Sequence, residues 1–253
     1  MTLPAAYTFV KEFDPEPSKT MVMDRHYLLY AAKGVMRLEA DGTGWTLPPA
    51  RAALIHAGRE ITVTIPQSLV ACSVLFDPSK FATPCASLSV FEMSPLAREL
   101  VLSCRTYGPD SELDDLGLLM FKTLAATAWT LAEMPSKAAL PTGQSKVVKH
   151  ALSITEQHLA EDISFEAIAA AVAVSSRTLA RRFADELGMT WRQVLRRLRM
   201  NHAMLGLADP ERQITEIAFS VGYNSLSAFN AAFRDFSGQT PSQFRASTVT
   251  EIT

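Results

Sequence analysis

The sequence predicts an α+β chain of two domains, with strands first and helices last. Three observations lead there. About the first eighty residues break into short β-branched and aromatic runs between turn signals. From Lys146 onward the apolar spacing is helical throughout, and that helical part contains an internal repeat. A chain of 253 residues has room for two ordinary domains. With 48% hydrophobic and 20% charged residues, it can build cores without disulfide or metal staples.

The strand candidates are RHYLLYAA, VMRLEA, RAALI, ITVTI and LVACSVLF. Turn signals lie between them at Lys33-Gly34, Asp41-Gly42-Thr43-Gly44, Leu47-Pro48-Pro49 and Ala57-Gly58. Short strands in series indicate a sandwich or barrel. Alternation over Arg25–Tyr30 places His26, Leu28 and Tyr30 on one face. They are the candidate lining of a small-molecule pocket, although alternation alone does not say which face is inside.

Helices follow. Ser94-Pro95 starts one that covers Leu96–Cys104, with proline at the first helical position. Tyr107-Gly108-Pro109 ends it. A longer helix is expected from Ser111, in an acidic first turn that suits the helix dipole, to about Met134. Its stripe of Leu116, Leu119, Met120, Leu124, Ala128 and Leu131 fits either an internal core or a dimerisation face. Pro135–Ser145 reads as a linker. The expected divisions are a β domain at 1–90, a helical segment at 91–134, the linker at 135–145 and a helical domain at 146–246.

Composition narrows the function. The net charge of -2 argues against a nucleic-acid binder until the chain is divided. Residues 1–140 hold 12 Lys+Arg against 15 Asp+Glu, whereas residues 141–253 hold 12 against 11. Seven arginines fall between Arg177 and Arg199, at 177, 181, 182, 192, 196, 197 and 199. For an arbitrary charge run a solvated face is the ordinary reading; the placement described next favours a polyanion. Cys72, Cys85 and Cys104 show no metal spacing and read as reduced thiols of a cytoplasmic protein. The charged, proline-containing start is unlike a signal peptide, and no apolar run is long enough to span a membrane. His26 and His56 lie far apart in sequence without an H-x-H pair, so neither a catalytic metal nor any other cofactor is expected.

The repeat carries the argument. Phe183, Asp185, Gly188, Thr190 and Gln193 recur as Phe233, Asp235, Gly238, Thr240 and Gln243, each 50 positions later. Ile168 and Ile217 are 49 apart. Each unit has helix-turn-helix logic over about 165–187 and 214–237. An Ile-Ala pair starts it, a tight turn passes through Ala173 or Gly222, and Ser175 or Ser225 caps the second helix. One stripe of that helix is apolar, with Leu179, Phe183 and Leu187 in the first unit and Phe229, Phe233 and Phe236 in the second.

The opposite stripe is free for DNA. In the first unit it offers Ser176, Arg177, Ala180 and Arg181, the two arginines one turn apart and matched to guanine edges. Arg182 and Arg192 are placed for phosphates. In the second unit Asn230 suits adenine, Leu226 a thymine methyl, and Ser227 shares their face, while Arg234 suits phosphate. Trp191–Leu207 joins the units as a helix with Val194, Leu198 and Leu205 on its apolar stripe. If it spaces the recognition helices by about 34 Å, one chain enters two successive major grooves of double-stranded DNA.

Ile214–Arg245 reads I-x-x-I-A-x-x-V-G-Y-x-S-x-S-x-F-x-x-x-F-x-x-x-x-G-x-T-P-S-Q-F-R. With Arg199, Met200, Ala203 and Leu205 before it, this stretch resembles the DNA-binding domain of the AraC/XylS family of regulators, over about 100 residues. Ala231 departs from the basic residue many members carry there, which concentrates the expected specificity on Arg177 and Arg181. The resemblance implies a cupin-like sensor domain in the N-terminal strands, a dimerising helix over Leu113–Met134 and hence a homodimer, a small-molecule effector, and RNA polymerase as a partner if the protein is an activator. Enzymatic alternatives are a cupin oxygenase and a DNA-repair methyl acceptor. The latter requires a nucleophilic cysteine in the DNA-binding part, and Cys104 is the last cysteine in the chain. A non-enzymatic regulator is expected, controlled by an effector bound in the N-terminal barrel; the alternative is an effector-independent regulator whose barrel only dimerises.

Overall fold

The computed structural model describes residues 3–49, 51–136, 140–141 and 143–248. They fall into two compact units. The first holds residues 3–38, 46–136 and 247–248; the second holds 39–45 and 140–246. Of the expected linker, residues 137–139 and 142 are outside the described set.

The N-terminal part is a β-sheet domain. Its strands are β1 (Ala6–Phe13), β2 (Glu16–Val22), β3 (His26–Lys33), β4 (Met36–Ala40), β5 (Thr43–Leu47), β6 (Arg51–Ile55), β7 (Glu60–Ile65), β8 (Leu69–Phe76) and β9 (Leu88–Glu92). One sheet has the order β1-β8-β3-β6-β9, every neighbouring pair antiparallel. The other has the order β10-β5-β4-β7-β2, where β10 is the two-residue strand Leu140–Pro141. The five expected strands are present. β1, β2, β5 and β9 carry weaker signals: β2 is exposed along almost its whole length, so its sequence shows no apolar alternation.

Two helices complete this unit, α1 (Pro95–Ser103) and α2 (Asp115–Ala132). The α1 start is capped by Ser94, whose hydroxyl accepts the Ala97 N–H. α2 begins later than the sequence suggests. Asp114 is its N-cap, accepting the Gly117 N–H at 2.7 Å, while Ser111 closes the preceding turn by accepting the Gly108 N–H at 2.9 Å. A carboxylate at the cap adds a charge–dipole attraction to the hydrogen bond, which a hydroxyl lacks. The α2 stripe divides. Phe121, Leu124 and Ala128 are fully buried, whereas Leu116 and Leu119 are each 61% exposed.

β3 is central in its sheet and buried on both faces. Leu28 and Tyr30 pack in the main core with Val74, Phe76, Phe91, Val101, Phe121 and Leu124. His26 lies beside them, its ring 6.2 Å from that of Trp129. The alternate residues, Tyr27 and Leu29, line a cavity between the two sheets. This corrects the expected pocket: His26, Leu28 and Tyr30 share a face, but it is the one filled by the helices. His26 and His56, distant in sequence, stand with ring centroids 5.0 Å apart. No helix among the described residues is long and apolar enough to cross a membrane.

Two outcomes follow for stability. Phe121→Ala removes a fully buried ring and is expected to cost about 3–5 kcal/mol, read from urea unfolding of the N-terminal unit. His26 accepts the Ala57 N–H at Nδ1 (3.2 Å), and burial, reinforced by His56, holds its pKa below the ordinary histidine value. The folded state therefore keeps it neutral where the unfolded chain takes up a proton. Its contribution is complete above about pH 6.5 and declines as pH falls below that. Melting temperature should drop on acidification, and His26→Gln should flatten that slope.

Candidate nucleic-acid interface

The helical domain contains α3 (Lys146–Gln157), α4 (Phe165–Ala171), α5 (Ser176–Leu187), α6 (Trp191–Leu207), α7 (Ile214–Ser220), α8 (Leu226–Ser237) and α9 (Pro241–Thr248). The pairs α4–α5 and α7–α8 are the two helix-turn-helix units. In the first, Ile168, Ala169, Leu179, Phe183 and Leu187 form one core with Val194 and Leu198 of α6. In the second, Ile217, Ala218, Phe229, Phe233 and Phe244 are buried, and the Phe233 and Phe244 rings meet edge-on at 5.4 Å.

The repeated residues have local physical causes. The turn residues Ala173 (φ 57°) and Gly222 (φ 80°) both adopt the left-handed conformation that reverses the chain in a single residue. Glycine is obligatory only at Gly222, where an added Cβ would collide with the Leu159 carbonyl and the Arg199 guanidinium. Ser175 and Ser225 cap α5 and α8, accepting the Thr178 and Ala228 N–H groups at 3.2 Å each. Thr190 with Gln193, and Thr240 with Gln243, bond reciprocally across the first turns of α6 and α9. The recurrence at a spacing of about 50 residues is thus a repeat of caps and turns as much as of apolar contacts.

Opposite the buried stripes, Arg177, Ala180 and Arg181 are exposed on α5, with Ser175 exposed and Ser176 half-buried at its start. Arg182 is half-buried and Arg192 is exposed at the start of α6. On α8, Leu226, Ser227, Asn230 and Arg234 are exposed beside the Ser225 cap. Ser176 and Arg177 on α5, and Ser227 and Asn230 on α8, lie in the first turns of their helices, where free N–H groups and the positive dipole also point, whereas Arg181 and Arg182 are mid-helix and Arg234 is in the last turn of α8.

The arginine cluster is less uniform than the sequence implies. Arg196 donates to Asp235, tying α6 to α8. Arg199 donates from Nε to the Leu159 carbonyl at 3.1 Å and lies 5.9 Å from the Tyr223 ring centroid. Arg197 is half-buried, and burial lowers its pKa. These three stabilise the domain, leaving Arg177, Arg181, Arg182 and Arg192 for the outer face. Glu186 also has an unforeseen role. It accepts the Gln144 and Ser145 N–H groups and the Ser145 hydroxyl at 2.7–2.8 Å. Burial pushes its pKa up, but these donors and the nearby Arg182 outweigh that and hold the carboxyl below its usual range. In sequence it is only an acid within an arginine run.

The N-terminal unit holds the second candidate site, a cavity of about 430 Å3. Tyr7, Phe9, Tyr27, Leu29, Met36 and Leu75 are among its lining residues. Among the described residues, no group of three or more His, Cys, Asp or Glu side chains is arranged to hold a metal ion. Burial pushes the Cys72 and Cys104 thiols up to about 11 and about 12, so both stay protonated and weakly nucleophilic at neutral pH.

Two capped, outward-facing helices on helix-turn-helix supports define a DNA-binding regulator. Residues 168–247 match the family described as a helix-turn-helix domain. The chain is 25% identical over 222 residues to the HTH-type transcriptional regulator NimR of Escherichia coli (strain K12), covering 87% of this chain and 79% of that protein. An uncharacterized HTH-type transcriptional regulator of Staphylococcus aureus (strain MRSA252) is 36% identical over 90 residues, which are 36% of this chain and 12% of that one. The crystal structure of an AraC-type transcriptional regulator from Chromobacterium violaceum is 30% identical, covers 41% of this chain and 93% of that chain, and has a TM-score of 0.40. Residues 168–247 thus form a helix-turn-helix domain of the AraC type, and the chain is similar to HTH-type transcriptional regulators.

The two turns give a direct test. Gly238 (φ 76°) has nothing within 4 Å of an added Cβ, so Gly238→Ala is expected to cost only about 1–2 kcal/mol of backbone strain. Gly222→Ala meets the same strain plus the collision at Leu159 and Arg199. Thermal melts should show the larger loss at Gly222, accompanied by weaker DNA binding.

Proposed function

We propose that this regulator binds double-stranded DNA sequence-specifically, placing α5 and α8 in two successive major grooves, under the control of a small-molecule effector held in the N-terminal cavity. The observation that carries the reading is the pair of exposed helix faces, each anchored by a buried apolar stripe and both joined through α6. Arg177 and Arg181 read bases, with Ala180 between them allowing close approach, and Ser175, Ser176, Arg182 and Arg192 position the first unit on the backbone. In the second unit Asn230 and Leu226 read bases, while Ser225, Ser227 and Arg234 hold the backbone. The exposed Leu116 and Leu119 of α2 favour a homodimer through that helix. RNA polymerase is a further partner where the protein activates transcription. No step requires catalysis.

The experiment is binding to the protein's own upstream DNA and to random DNA across a salt series. Selective binding with a steep salt slope is expected; equal affinity for both DNAs overturns sequence-specific reading. Arg177→Ala or Arg181→Ala should each cost about 1–3 kcal/mol on the specific site and relax one base position. Arg192→Ala should weaken both DNAs alike and reduce the salt slope by about one. Equal losses on both DNAs for Arg177 and Arg181 would reassign them to phosphates.

A further inference from the structure

α5 carries the two arginines assigned to bases, and its stripe of Leu179, Phe183 and Leu187 holds it in the domain core. Apolar contact is non-directional, so a helix held by it alone keeps some freedom to roll and slide. A bidentate arginine–guanine pair tolerates little of either, because hydrogen bonds weaken steeply as their angles close. What fastens α5 beyond its stripe therefore bears on what it can read.

That fastening lies at the far end of the helix. Glu186, in the last turn of α5, engages both of its carboxylate oxygens. Oε2 accepts the Gln144 and Ser145 N–H groups at 2.8 Å each, and Oε1 accepts the Ser145 hydroxyl at 2.7 Å. Ser145 is the N-cap of α3, and its hydroxyl oxygen also accepts the Val148 N–H at 3.2 Å. The carboxylate thus completes the cap of α3 from another helix, at the end where the α3 dipole favours negative charge. Bonds to both oxygens from two successive residues constrain orientation more than one bond can.

The second unit is fastened at a different position of the repeat. Fifty residues after Glu186 stands Phe236, which has no carboxylate. α8 is tied instead by Asp235 to Arg196 of α6. The counterpart of Asp235 in the first unit is Asp185, which is exposed. Each unit therefore has its own polar tie, made by neighbouring positions of the repeat to different helices.

We propose that Glu186 is a positioning residue for base reading: by holding the last turn of α5 on the start of α3, it sets how Arg177 and Arg181 are presented to the major groove. This rests on the reading of α5 as a base-reading helix. Glu186 acts without touching DNA, since it follows Arg177 by nine residues, or about two and a half turns, and faces the other way.

The test is binding of the full-length wild type, Glu186→Gln and Ser145→Ala to the protein's own upstream DNA and to random DNA. Salt is fixed, and the temperature stays well below the melting point of each protein. Glu186→Gln is near-isosteric but turns one acceptor into a donor among donors. It also removes a negative charge, which by itself favours every DNA. Its affinity for random DNA should therefore hold or rise, while its affinity for the specific site should fall about tenfold. Ser145→Ala deletes the α3 cap and keeps the two N–H bonds to Glu186. It should lower the melting temperature and leave specific affinity within about threefold of wild type. Glu186→Asp keeps the charge with one methylene less reach; it should also lose selectivity, and it decides if the glutamine variant does not fold. Unchanged selectivity in Glu186→Gln, or equal losses on both DNAs, overturns the positioning role. So does Ser145→Ala losing as much selectivity as Glu186→Gln, because lost stability would then suffice. A wild type that binds both DNAs equally overturns the sequence-reading function and the positioning role together, whereas a selective wild type beside an equally selective Glu186→Gln overturns the positioning role alone.

Discussion

Within the helical domain, everything presented to DNA depends on how α6 is fastened to the two units it joins. Arg199 reaches from α6 to the carbonyl of Leu159, just beyond α3, and the same guanidinium lies against Gly222 at the turn of the second unit. Arg196 reaches to Asp235 on α8. The exposed Arg196–Asp235 pair contributes at most about 1 kcal/mol to stability. Its consequence is geometric, since it ties one face of α8 to α6. Burial of Val194 and Leu198 with the first unit, and of Met204 and Leu207 further along, supplies the stabilisation. The polar contacts then select one arrangement among those that the apolar contacts would tolerate.

The N-terminal unit solves a different problem with one strand. β3 contributes alternate residues to two environments, a packed core shared with α1 and α2 and an open cavity between sheets. A period of two makes this division absolute, because a side chain cannot change face without the whole strand slipping register. The packed side gives the domain its stability. The cavity side, lined by Tyr27 and Leu29, is relieved of that duty.

Much of the helical domain was legible in the sequence. Helix periodicity, the serine caps and the spacing of 50 are all local signals, and α6 spans Trp191–Leu207, the stretch whose apolar stripe marked it as a helix. Three features were not legible. The arginine cluster mixes exposed side chains with ones committed to Asp235 and Leu159, and those partners are 39 and 40 positions away. Glu186 gains its meaning only from the Gln144 and Ser145 N–H groups, 42 and 41 positions earlier. His26 and His56 meet because the start of β3 and the end of β6 are brought together by antiparallel pairing.

The sequence by itself determined the order of strands and helices, the helix-turn-helix repeat and the exposed face of the second helix in each unit. These depend on period, capping and turn chemistry within a few residues. Only the tertiary structure decided which face of β3 looks into the cavity, which arginines remain free, and which leucines of α2 are covered. Periodicity says that two faces differ, but which face is filled depends on what packs against it, and that partner lies elsewhere in the chain.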